Sequence, residues 1–422
     1  MCVYLRPINY HRHLIVSALL ILVGLAAPAH GQIGDGTGLA EALNPEYFNR
    51  DIVTFADELE LDDIQRVIVE ALFEDYLYGF EEAKSLMSSR FESMGDELRS
   101  MDKGSVVKAA LRPLRDLIDT KDTLREQLFS SVQTVLTNEQ MLKWPSFLRR
   151  MTRVKTLSKG RLSGESIDLF YVLRDMRLPS SLINTIQPVL LDYEINLDYA
   201  LNARNASFVL AQQTLLDSIA DLNKGTDTRV AERQIKLRVA IRDVNNQSRE
   251  LIADALQEKA GDIFHRLALE RAYPTIFRRS MLQKLLSAAL DLEDLEEDKL
   301  QEIRDFSQEY MTELVELNSV MLQDLLVSEP REMLDKIEAF KARSRGQKPT
   351  RTTSRSRNAQ FRINELSTPF ITRLQDLLTQ EQFASLPQAQ RIIERQRRLD
   401  RLRIMETINQ KEETPARSKK DS

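Results

Sequence analysis

A chain of 422 residues with 42% hydrophobic residues is long enough to bury a core without disulfide bonds, so its single cysteine implies no disulfide framework. The net charge is −5 at pH 7, and no specific nucleic-acid partner is expected. Only 13 glycines and 13 prolines interrupt the chain, and no segment shows clear strand alternation. The composition therefore predicts long helices and an all-α fold.

Residues 1–31 have the pattern of a secretory signal peptide. A polar start with Arg6 and Arg12 precedes an apolar run over 14–27, which is shorter than the ~20 residues of a membrane span. Small residues at Ala29 and Gly31 suit cleavage, and an uncleaved N-terminal anchor is the alternative. We expect a periplasmic or secreted protein, with residues 32–44 as a flexible linker. Without the two arginines, 57 basic and 64 acidic side chains leave a net charge of −7.

An internal repeat with a period of 117 residues organises the rest of the chain. In each copy a leucine precedes a tyrosine by fifteen residues, and the pairs are Leu61 and Tyr76, Leu178 and Tyr193, and Leu295 and Tyr310. A fixed period of this kind indicates one supersecondary unit that is copied and stacked. We therefore expect three helical repeats over 45–160, 161–290 and 291–410.

Each repeat is predicted to be a long helical hairpin. Its first helix carries apolar residues at steps of three and four, and the returning helices are expected over 106–136, 228–256 and 359–378. Together these features predict an elongated array of three long helical-hairpin repeats. A basic loop without acidic residues over 342–364 and a polar tail over 411–422 are expected to be disordered.

Methionines on the first long helix form a candidate apolar binding face. The stripe contains Met87, Phe91, Met94 and Met101, and methionine-rich surfaces suit promiscuous protein partners. The alternative is ordinary hairpin core, in which the stripe faces the returning helix around 111–136.

Arginines near the C-terminus form a candidate basic surface. The segment 388–409 contains Arg391, Arg395, Arg398 and Arg401 among aliphatic residues. Such a segment binds an anionic surface, or it packs as a terminal capping helix that holds its arginines outward.

A short motif recurs at helix starts. It occurs as Leu136-Thr137 with Gln140, as Leu378-Thr379 with Gln382, and as Leu61-Asp62 with Gln65. The Thr or Asp side chain accepts a hydrogen bond from the first helical turn, and the Gln three residues later bonds back to the cap. With these residues the chain resembles the Spy/CpxP family of periplasmic helical proteins, whose paired Leu-Thr-x-x-Gln motifs bracket a long antiparallel hairpin. The second repeat departs from the motif, because Leu256 is followed by Gln257 and Leu178 by Pro179.

The resemblance implies an exported α-helical protein that binds unfolded or partly folded clients without ATP, or that senses envelope stress. Its partners would be proteins, either unfolded clients or envelope components. The alternative is a structural scaffold of the envelope, which binds partner helices or an anionic surface through the basic C-terminal unit.

No pattern of catalytic or cofactor-binding residues stands out. The chain has no nucleophile elbow, phosphate-binding glycine loop or Cys/His pair, so we expect neither an enzyme nor a cofactor. Asp262 and His265 have one-turn spacing, but a di-iron centre needs further Glu ligands and a second such pair, so no metal site is expected. The acidic run at 293–298 is explained by a helix start, where negative charge is favourable.

Overall fold

The computed structural model describes residues 43–94, 103–220, 228–344, 347–348 and 358–394. Within these ranges the chain forms helices and turns and contains no strand, which confirms the predicted all-α class. The three-repeat array remains a prediction. Several predicted features lie outside the described residues: the signal peptide, nearly all of the linker, Met101, Arg395, Arg398, Arg401 and the tail over 411–422.

The first five helices precede residue 157. They are α1 Ile52–Leu59, α2 Asp63–Ser93, α3 Lys103–Val135, α4 Asn138–Met141 and α5 Trp144–Thr156. Four helices follow, α6 Leu169–Met176, α7 Ser180–Ala220, α8 Thr228–Leu256 and α9 Glu258–Ala272. The remaining helices are α10 Pro274–Phe277, α11 Met281–Leu290, α12 Glu297–Ser344, α13 Asn358–Leu377 and α14 Gln380–Ser385, and residues 389–394 are also helical. The returning helices predicted from the sequence correspond to α3, α8 and α13.

The described residues divide into two compact units. The first unit takes residues 43 to 268 and the stretch that begins at Pro330, and the second takes Leu269–Glu329 and residues 358 to 394. Helix α12 contributes to both units, and the division falls at its internal proline, Pro330. This is a coarser division than the three predicted repeats.

Helices α2 and α3 form the first hairpin of the first unit, and its interior is apolar and largely aromatic. Phe55 on α1 meets Phe73 on α2 and Phe147 on α5, with ring centroids 5.0 and 4.5 Å apart. Val69, Leu128, Val132 and Trp144 complete the same buried cluster. Aromatic side chains bury large areas, so these contacts position α1 and α5 across the hairpin.

Helices α7 and α8 form the second hairpin of the first unit, and many of its buried residues are polar. Arg204 and Ser207 are buried on α7, whereas Arg238, Arg242, Asn245, Ser248 and Arg249 are buried on α8. Buried charges require partners. Arg204 and Arg238 find theirs in Glu165, which lies in the segment that follows α5, whereas Arg242 and Arg249 pair with Asp243 and Glu250 on α8 itself.

The three tyrosines of the 117-residue period are all buried and hydrogen-bonded. The Tyr76 hydroxyl accepts a bond from the backbone N–H of Glu46 at 2.9 Å, and the Tyr193 hydroxyl accepts one from Leu169 at 3.3 Å. The Tyr310 hydroxyl is 2.8 Å from the Ser280 hydroxyl. In each case the tyrosine ties its long helix to the segment that precedes that helix.

The predicted basic loop over 342–364 is shorter than expected. Helix α12 continues to Ser344 and α13 begins at Asn358, so both ends of the predicted range are helical. The physical reason at the second end is burial, because Ala359 and Ile363 lie four residues apart on one helical face and are both buried.

Candidate functional site

The capping motifs of the first hairpin meet one another. Asp62 caps α2 and Thr137 caps α4, and both capping boxes form as the sequence predicts. The two capping glutamines then pair across the hairpin, with each side-chain amide nitrogen 2.8 Å from the amide oxygen of the other, Gln65 or Gln140. Neighbouring backbone carbonyls accept the second amide protons, at Val135 from Gln65 and at Glu60 from Gln140.

Exposed aliphatic side chains flank this buried glutamine pair. Ile64 is 75% exposed and Leu142 is 83% exposed, and each lies within two residues of one capping glutamine. The pairing of Lys143 with Glu60 also holds the two chain segments together. We name this feature the apolar rim, and it comprises Ile64, Ile68, Met141 and Leu142.

The outer face of α2 extends the apolar rim. Val67 and Tyr78 are exposed, and Ala71 between them is exposed as well. These positions follow helical spacing on the side opposite to Val69, Phe73 and Phe80, which are buried. Helix α2 therefore carries apolar residues on two faces, one in the core and one in solvent. Large exposed apolar patches mark protein-binding sites.

The described residues of the predicted methionine stripe are buried or partly buried. Met87 and Phe91 are buried in a cluster with Phe80 and with three leucines of α3, Leu111, Leu114 and Leu117. Met94 is partly buried at the end of α2. The described part of the stripe thus follows the core alternative, because the returning helix needs an apolar surface to pack against.

The predicted basic surface is described only at its first residue. Arg391 is exposed, and its neighbours Ala389 and Ile392 are buried. Arg395, Arg398 and Arg401 lie outside the described residues, so the basic surface stays a prediction.

A buried ion network, which the sequence did not indicate, holds the segment after α5 to the second hairpin. Glu165 is fully buried, and its Oε1 atom lies 2.9 Å from Arg204 Nη1 and 3.0 Å from Arg238 Nη1. Its Oε2 atom accepts backbone hydrogen bonds from Arg161 and Leu162. Burial lowers the pKa of Arg204 although Glu165 opposes this shift.

A second group of charges joins α5 to α7. Arg153 donates to Asp168 at 3.1 Å, and its guanidinium lies 4.2 Å from the centre of the Phe170 ring. Arg149 donates to Glu194 on α7 at 3.1 Å. Burial raises the pKa of the adjacent Tyr193, and the charge of Asp168 raises it further. The Ser146 hydroxyl also donates to Glu194, at 3.0 Å, so these contacts join α5 to α6 and α7.

His265, which the sequence placed near Asp262, pairs with Glu250 instead. Its Nε2 atom is 3.1 Å from a Glu250 carboxylate oxygen. Among the described residues, no three His, Cys, Asp or Glu side chains are arranged to hold a metal ion. The acidic run lies where the sequence places it, with Glu297 and Asp298 in the first turn of α12.

In the part of the chain that the structure describes, no helix is long and apolar enough to cross a membrane. Comparison of the chain with protein-family models, with curated proteins and with solved structures finds no match.

Proposed function

We propose that this protein is an exported, non-catalytic helical protein that binds other polypeptides through apolar surface on a rigid scaffold. It acts as an ATP-independent, chaperone-like protein that binds the exposed apolar segments of unfolded clients. The observation that carries the proposal is the apolar rim, where Ile64 and Leu142 are exposed beside a fully hydrogen-bonded glutamine pair.

The arrangement suits weak binding of many clients. The glutamine pair and the two capping boxes fix the backbone under the rim, so little conformational entropy is lost when a client binds. The exposed side chains are aliphatic and carry no hydrogen-bonding groups, so they contact apolar clients without selecting a sequence. The rim is therefore the expected client surface, because Met87 and Phe91 of the methionine stripe are buried.

The test is suppression of aggregation of a reduced, unfolded client protein in the absence of nucleotide. The full chain is expected to suppress light scattering, and the double variant Ile64→Glu with Leu142→Glu is expected to lose most of this activity. Both side chains are exposed, so the charges should leave the circular dichroism spectrum unchanged. The matched control is Val327→Glu, an equally apolar and exposed position on α12, which should suppress aggregation as the unmodified chain does.

Two outcomes would contradict the proposal. The unmodified chain would fail to suppress aggregation, or the double variant would retain full activity. Capture of one stable partner at fixed stoichiometry, without suppression of aggregation, would instead support the envelope scaffold that the sequence left as the alternative.

A further inference from the structure

A second exposed apolar stripe lies on α7, and neither hairpin packing nor the apolar rim accounts for it. The buried face of α7 contains Tyr193, Leu197, Leu201 and Arg204. On the other side of the helix, exposed residues recur at steps of four and three. They are Leu191, Ile195, Tyr199, Asn202, Ala206 and Val209, and we name them the α7 stripe.

The α7 stripe has an asparagine at its centre. Ile195 and Val209 lie seven residues before and after Asn202, and they are 46% and 48% exposed. Asn202 is exposed and its side-chain nitrogen donates to Asp198 at 2.9 Å, which leaves its amide oxygen as the acceptor that a partner covering the stripe would meet. An asparagine covered by a wholly apolar partner would leave that oxygen buried and unsatisfied, at a cost of about 1–3 kcal/mol. A partner that brings its own amide to the same point removes this penalty.

We infer that the α7 stripe is a self-association surface, on which two copies of this chain pair α7 antiparallel about a two-fold axis through Asn202. The two Asn202 amides then meet and hydrogen-bond each other. Ile195 of one copy packs against position 209 of the second copy, and the large Tyr199 packs near the small residue at position 206.

The antiparallel direction follows from charge and shape. A parallel pair would set Asp192 and Asp198 beside their own copies and Tyr199 against Tyr199. The antiparallel pair separates these acids and places large side chains opposite small ones. It also opposes the two helix dipoles, which is the favourable arrangement. The interface is isologous, as most dimer interfaces are.

Cysteine cross-linking tests the axis directly. In a Cys2→Ser background, the full-length Asn202→Cys variant should form a disulfide-linked dimer under mild oxidation, because residues on the axis approach within disulfide reach. The matched control is Asn184→Cys, which is exposed on the same face of α7. It lies 18 residues from the axis, so its copy would be about 54 Å away and no disulfide should form. Equal cross-linking of both variants would overturn the antiparallel pair.

Charge replacement tests the facing residues. Sedimentation equilibrium of the full chain should show a reversible dimer, and Ile195→Lys should raise its dissociation constant on the order of 100-fold. Adding Val209→Glu to Ile195→Lys should restore the dimer, because each new ammonium faces a new carboxylate on the second copy. A monomer at every concentration, or a double variant as monomeric as the single one, would overturn the inference. These readouts do not involve the apolar rim, so they fail or succeed independently of client binding.

Discussion

The two hairpins of the first unit have similar helical outlines but different interiors. Between α2 and α3, aromatic rings and aliphatic side chains fill the core, and a buried polar pair, Gln65 with Gln140, lies at its end. Between α7 and α8, the guanidinium groups of Arg204 and Arg238 are buried beside Glu165. Apolar packing tolerates small shifts of one helix against another, whereas charge pairs require fixed geometry. The second hairpin is therefore expected to allow fewer alternative helix arrangements than the first. A single substitution in its interior is also expected to lower the free energy of unfolding more.

The largest effect is expected from removing the buried carboxylate. Glu165→Gln leaves Arg204 and Arg238 buried without a counter-charge, and the free energy of unfolding should fall by about 3–5 kcal/mol. Urea denaturation followed by circular dichroism measures this loss. Adding Arg204→Met and Arg238→Met to the same chain removes the unpaired charges, and the triple variant should recover most of the stability. A triple variant as unstable as the single one would show that the ion network is not what makes this hairpin sensitive.

The first hairpin should be destabilised when a charge is introduced into its apolar core. Met87 is 8% exposed and its neighbour Leu86 is 53% exposed, so they form a matched pair on α2. Met87→Glu buries an unpaired carboxylate and should lower the free energy of unfolding by about 3 kcal/mol, whereas Leu86→Glu should change it by less than about 0.5 kcal/mol. Thermal melts of both variants provide the comparison. Equal, small effects would mean that Met87 belongs to an open surface after all.

Breaking the glutamine pair should have an intermediate effect. Gln140→Ala removes the acceptor for the Gln65 amide and the donor to the Glu60 carbonyl, and the unfolding free energy should fall by about 1–3 kcal/mol. Gln382→Ala is the control, because Gln382 forms the same capping box on α14 and has no buried amide partner among the contacts described for it. Its loss should be about 1 kcal/mol or less. If Gln140→Ala and Gln382→Ala lost the same unfolding free energy, the pairing of Gln65 with Gln140 would contribute no stability beyond that of the capping boxes.

Much of this local chemistry follows from the sequence. The Thr137–Gln140 and Thr379–Gln382 capping boxes were predicted, because both partners lie three residues apart. A further box at Ser280 and Gln283 has the same spacing and was missed, although the same pattern would have found it. Long-range partners leave no such signal. Gln65 meets Gln140 from 75 residues away, and Glu165 meets Arg238 from 73 residues away.

The candidate site was missed for a related reason. The apolar residues at steps of three and four on the first long helix include Phe73, Leu77 and Phe80, of which Phe73 and Phe80 are buried and Leu77 is partly buried. Ile64, Val67 and Ile68 lie on the opposite face of the helix and are exposed. A helix with two apolar faces gives two periodic patterns, and the sequence alone does not show which face the returning helix covers.

The buried tyrosines allow the two hairpins to be compared at equivalent positions. Tyr76→Phe leaves the backbone N–H groups of Glu46 and Tyr47 without their acceptor, and Tyr193→Phe leaves Leu169 N–H and the Asn245 amide oxygen without partners. Each variant should lose about 1–2 kcal/mol of unfolding free energy. Tyr78→Phe is the control, since Tyr78 is exposed two residues from Tyr76 and should lose nothing measurable. A loss at only one of the two buried tyrosines would break the equivalence that the 117-residue period suggests.

The smallest expected effect concerns pH and separates two carboxylates on α8. Partial burial by itself raises the pKa of Glu250, but Arg249 and His265 outweigh it and bring the pKa below its ordinary value of 4.5. Burial raises the pKa of Asp243 above 3.8, against the opposing charge of Arg242. Glu250 therefore stabilises the fold at neutral pH and loses this contribution as the pH falls below 4.5, whereas Asp243 opposes folding at neutral pH and stops doing so in acid.

Replacing each carboxylate by its amide makes the two signs visible. At pH 7 Glu250→Gln should lower the free energy of unfolding and Asp243→Asn should raise it, each by less than about 1 kcal/mol because both side chains are largely exposed to solvent. Both differences should shrink as urea denaturation is repeated at progressively lower pH, because protonation of each carboxylate removes the charge on which the difference depends. If both variants changed the free energy of unfolding in the same direction at pH 7, the inferred opposite pKa shifts of Glu250 and Asp243 would be contradicted.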